Sequence, residues 1–132
     1  MKTTLIQATR AYQAIGALSE TPMDFASAHA LVLAKRELEP HVAFFAEQEA
    51  ELIRRYAETD ENGEPVTGGP GQYRLREAEM PNFLRERTEL NGVEVEITAR
   101  KLRRLPETIS PAALEALLEV FQLPEEGNDE QG

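Results

Sequence analysis

Leu31-Val32-Leu33-Ala34-Lys35-Arg36-Glu37-Leu38-Glu39-Pro40-His41-Val42-Ala43-Phe44-Phe45 lies at the centre of a helix-compatible run from Thr21 to Ala57, the longest such run in the chain. Leu31, Leu38, Phe45 and Leu52 recur every seven residues, with Val42 and Tyr56 four residues on in two of the heptads. Apolar residues at this spacing fall on one face of an α-helix, because seven residues make about two turns. Lys35 and Glu49 take the equivalent places in the other two heptads, so a long dry coiled-coil seam is not written here. Pro40 lies inside the stripe, where its ring removes one backbone donor and crowds the carbonyl of Arg36. The helix is therefore bent or split at that point, and the heptad phase, which survives the proline, favours a bend. At its start Thr21 is the expected N-cap, with Pro22 at the first helical position and Asp24 in the first turn.

Upstream, Leu5, Ile6, Tyr12, Ile15 and Leu18 share one face of a predicted helix from about Thr4 to Leu18. It should form an antiparallel hairpin with the long helix. Downstream, residues 58–71 hold four glycines, two prolines and four acids, which reads as a flexible acidic loop or a loose hairpin with Asn62-Gly63 as a tight turn. Gln72 to Leu75 reads as a short extended piece. Pro81 opens a third helix carrying Phe83, Leu84, Arg87 and Leu90, which Asn91-Gly92 stops. Val93-Glu94-Val95-Glu96-Ile97-Thr98 alternates apolar with polar residues and is rich in β-branched side chains, so it reads as a strand. A lone strand is not stable, and the expected partners are Gln72 to Leu75, Lys101 to Leu105, or a second copy of the chain. Ser110-Pro111 caps a last helix through Leu114, Leu117, Leu118 and Phe121 that ends near Gln122. The fold class is mainly α (α+β): a helical hairpin with a long kinked second helix, a third helix, a small β-element and a C-terminal helix. One domain over residues 1–123 is expected, with 124–132 as a disordered acidic tail.

The 132 residues carry 24 acids and 14 Lys or Arg, a formal charge of −10, which disfavours a broad grip on nucleic acid. There is no cysteine, so disulfides, thiolate metal sites and cysteine nucleophiles are excluded together. No stretch approaches the ~20 apolar residues of a membrane span, nor the apolar core of a signal peptide. A cytoplasmic location with no membrane association is expected.

The residue types that carry chemistry do not converge. His29 and His41 are twelve residues apart and project to different faces of the long helix, unlike the four-residue pair of a helical zinc site. Asp60, Asn62 and Glu64 offer oxygens at alternate positions, but counting from Asp60 puts Pro65 sixth and Gly71 twelfth, where a calcium loop needs a glycine and a bidentate acid. Gly68-Gly69-Pro70-Gly71 lacks the Lys-Ser or Lys-Thr of a phosphate loop. Glu47, Glu49 and Glu51 interleave with Arg54 and Arg55 at ion-pair spacing, as on a solvated helix face. No catalytic residue, cofactor or metal ligand is therefore assigned, and the chain is read as a non-enzyme. What remains is the strand and the basic cluster after it: Val93, Val95, Ile97, Arg100, Lys101, Arg103 and Arg104 are the candidate partner-binding residues.

Several segments in order resemble small uncharacterised bacteriophage and prophage proteins of the DUF1617 type. They are Ala34-Lys35-Arg36-Glu37-Leu38-Glu39-Pro40 through Glu51-Leu52-Ile53-Arg54-Arg55-Tyr56, then Glu89-Leu90-Asn91-Gly92-Val93-Glu94-Val95-Glu96-Ile97, and last Ile109-Ser110-Pro111-Ala112-Ala113-Leu114-Glu115-Ala116-Leu117. The resemblance implies a phage origin and no known activity. The expected function is that of a phage-type accessory protein acting by protein contact, in virion or tail assembly, in the host cytoplasm or on the virion, with self-association as a further option. The alternative is an acidic inhibitor of a host factor such as a defence nuclease, which would imitate nucleic-acid charge.

Overall fold

A computed structural model describes residues 1–69 and 72–123 of the chain. The chain is mainly α with small sheets. It runs β1 (Lys2–Thr4), α1 (Leu5–Ala17), α2 (Phe25–Tyr56), β2 (Thr67–Gly69), β3 (Gln72–Tyr73), a short 3-10 turn (Glu77–Glu79), α3 (Met80–Asn91), β4 (Glu94–Glu96), β5 (Arg100–Lys101), α4 (Pro111–Leu118) and β6 (Phe121–Gln122).

The long helix is one element. It passes through Pro40 without a break, so it is not split there. Pro40 and Arg36 are both exposed, which places the backbone carbonyl that the proline deprives of its partner on the solvent side of the helix. The heptad residues Leu31, Leu38, Phe45 and Leu52 are all buried. The two charged residues that interrupt the stripe are each matched: the Lys35 ammonium lies 5.5 Å from the centre of the Tyr12 ring, and Glu49 pairs with Arg87 of α3 at 3.1 Å. The start of the helix differs from expectation. Asp24, not Thr21, is the N-cap, and its carboxylate accepts from the Ser27 backbone N–H at 3.0 Å, leaving Thr21, Pro22 and Met23 outside the helix.

Helix α1 begins at a capping box in which the Thr4 hydroxyl accepts from the Gln7 backbone N–H, while the Gln7 side chain accepts from the Thr4 backbone N–H. The buried Ala8, Ala11 and Ala14 line its inner face, and these small side chains allow a close approach to α2 and α4, against which it packs. The core is completed by Leu31, Ala34 and Leu38 of α2, by Ile97 and Leu102, and by Leu117, Val120 and Phe121 near the C-terminal end of the described chain.

The predicted strand finds a partner that none of the expected ones supplies. β4 pairs antiparallel with β1, in the register Lys2 to Glu96, Thr3 to Val95 and Thr4 to Glu94. Its continuation is also bonded, with Leu5 N–H to Val93 O at 2.9 Å and Ile97 N–H to Met1 O at 2.9 Å. The segment Lys101 to Leu105 is used otherwise: β5 pairs in parallel with β6. The closing helix is correspondingly shorter than expected, ending at Leu118, and Phe121 and Gln122 leave the helix to form that strand.

The acidic segment after α2 is a hydrogen-bonded hairpin. Ala57 bridges Leu75, Thr59 bridges Pro65, and β2 pairs with β3. The tight turn sits where Asn62-Gly63 predicts it: the Asp60 carboxylate accepts from the backbone N–H groups of Asn62 and Glu64 at 2.8 and 3.0 Å. Gly63 there has φ +79°, the left-handed region that a glycine enters without Cβ strain. Pro70, Gly71 and the acidic stretch 124–132 lie outside the described residues.

Candidate functional site

The seven sequence-predicted partner residues do not form one open surface. Alternation along β4 turns Val95 toward the core, and Ile97 is part of the core, while Val93 is exposed. Arg100 is committed to an internal ion pair with Glu37 of α2, whose carboxylate also accepts from the Thr98 backbone N–H and hydroxyl at 3.0 and 2.9 Å. Partial burial pushes the Glu37 carboxyl up. The hydrogen bonds from Arg100 and Thr98 outweigh it and hold the group below its ordinary range. Arg104 anchors its chain to α2 through its backbone N–H, which donates to the Ser27 hydroxyl at 3.2 Å. Lys101, Arg103 and Arg104 are exposed, so the basic cluster is partly spent on holding β5 against α2 and partly open.

Among the described residues, four of the exposed large apolar side chains lie elsewhere, on the outward side of α2. Phe25 is 82% exposed, Val32 48%, Leu33 37% and Phe44 49%. On a helix of 3.6 residues per turn these positions fall roughly opposite the heptad stripe, so α2 is apolar on its inner face and along part of its outer one. His29, Pro40 and Ala43 are also exposed and continue that outer face, with Arg36 and Glu47 as charges along it. The Phe25 and His29 rings stack with centroids 5.6 Å apart. Sequence periodicity favours the heptad because it is regular. The outer residues recur at spacings of seven, one and eleven, a pattern that only becomes a face once the helix is known to run unbroken through Pro40.

A second feature is a groove of about 730 Å³ between α1 and α4. Its floor is built from alanines, Ala14 on α1 and Ala112, Ala113 and Ala116 on α4, with Leu118 exposed at one edge. Arg10 lines it from α1, Glu115 from α4, and Glu119 from the C-cap position just after α4.

Among the described residues no three His, Asp or Glu side chains are grouped to hold a metal ion, and no helix is long and apolar enough to cross a membrane. No family model, curated protein or solved structure shows a significant match to the chain.

Proposed function

We propose that this chain is a non-enzymatic accessory protein that works by protein contact, in the phage setting that its sequence resemblance implies. Its partner is a virion or tail component, met in the host cytoplasm, and its working surface is the outward face of α2. The observation that carries this reading is the run of exposed Phe25, Val32, Leu33 and Phe44 on that face. Exposed apolar side chains spread along one side of a helix lose unfavourable hydration when a partner covers them. Because they project from a single long helix, their spacing is fixed before binding, which lowers the entropy lost on association. Affinity capture from infected cells, comparing the wild-type chain with a Phe25→Ser/Phe44→Ser variant, tests it. Virion components should be recovered with the former and lost with the latter, and recovery of a host enzyme alone would overturn the assembly role.

The alternative, an acidic inhibitor of a host nuclease, draws support from the charge. Arg54, Arg55, Arg74, Arg87 and Arg100 are each paired with a glutamate, so part of the positive charge is offset locally and acid dominates what remains. Such an inhibitor would bind through charge, with affinity falling steeply as salt rises.

A further inference from the structure

We propose that the groove between α1 and α4 is a docking site for an amphipathic helix of a partner protein, one bearing two basic residues a turn apart on one flank and an acid on the other. This is a second contact surface, separate from the outward face of α2 and resting on different residues.

Ala112, Ala113 and Ala116 present only methyl groups, so the backbone of a third helix can come close to α4, with Gln7, Arg10 and Gln13 lining the groove from α1. The eight residues of α4 give a channel about 12 Å long, enough for two turns or a little more of an incoming helix.

Charge then fixes the chemistry of the occupant. Glu115 on α4 and Glu119 at its C-cap stand four residues apart, a spacing at which like charges repel. Neither is in an ion pair among the described residues, and nor is Arg10 across the groove. A helix with Lys or Arg at positions four apart would neutralise both glutamates at once, and an acid on its opposite flank would meet Arg10. The chain's own helices do not supply this pattern: among the described residues, none of the four α-helices carries two basic residues four apart, which disfavours a second copy as occupant.

The test uses two synthetic, helix-stabilised peptides of about 14 residues with the same Ala/Leu face. One carries two lysines four apart on one flank and a glutamate on the other, and its counterpart has these charges reversed. Each is titrated into the full chain while backbone amide shifts are followed by NMR. The lysine peptide should bind saturably, shift amides of residues 7–14 and 112–119, and exceed its counterpart in affinity by about tenfold. Glu115→Lys/Glu119→Lys should invert the preference. No saturable binding up to about 1 mM, equal binding of both peptides, or shifts confined to α2 would each overturn the assignment. The α2 surface is untouched by the double variant, so failure here leaves the protein-contact function to stand or fall on its own test.

Discussion

The Glu37 carboxylate of α2 accepts from the guanidinium of Arg100 in β5, joining two segments 63 positions apart in sequence. Both side chains are less than a third exposed, so the pair is shielded from solvent more than an ordinary surface ion pair. Arg100→Ala should therefore lower unfolding free energy by about 1–2 kcal/mol, whereas Lys101→Ala, at an exposed neighbour, should stay within about 0.5 kcal/mol. Chemical denaturation of the two variants makes the comparison.

The same carboxylate gives a pH dependence. Its folded-state pKa lies below the ordinary value of 4.5, so the unfolded chain takes up the proton first as pH falls. The stabilisation is present above about pH 4.5 and is lost as pH drops through the folded-state value. Denaturation midpoints between neutral and acid pH should show this loss, and Glu37→Gln should flatten that part of the curve. A Gln variant with the wild-type acid profile would show that the pair does not contribute.

Pro40 offers a test of the continuous α2. It lacks a backbone donor inside a helix and is exposed, so Pro40→Ala should restore a hydrogen bond without disturbing the core. A gain of about 1–2 kcal/mol is expected, the helix advantage of alanine being offset in part by the more flexible unfolded chain. No gain by thermal or chemical denaturation would mean that the helix is already interrupted there.

The helix start is equally open to measurement. Asp24→Ala should cost about 1 kcal/mol through the lost N-cap, while Thr21→Ala should cost less than about 0.5 kcal/mol. The opposite order would move the cap back to Thr21.

Much of the architecture could be read from the sequence, and what escaped has physical reasons. Four helices are legible because their inner faces repeat at helical spacing and three of them begin at a recognisable cap or proline. Asp24 and Thr21 are both good caps three residues apart, and only the bond to the Ser27 backbone N–H separates them. β1 escaped because Lys2, Thr3 and Thr4 make a strand too short to show alternation, although the Thr4–Gln7 capping box implies that the chain before Leu5 is not helical. β5 and β6 are two residues each, held by long-range pairing that no local pattern encodes. For the candidate site, Val93 to Ile97 was legible as a strand but not as one whose alternate residues face the core. The outward face of α2 was hidden behind a stronger heptad on the same helix.

The most direct test of contact through α2 is a binding measurement on the captured partner, made with the wild-type chain and with Val32→Ser/Phe44→Ser across a range of salt concentrations. Wild-type affinity should change only a few-fold with salt, since burial of apolar surface is weakly screened. The double variant should lose about tenfold to a hundredfold at every salt concentration. Equal binding by the variant, together with a steep fall in wild-type affinity as salt rises, would rule out contact through the apolar face of α2.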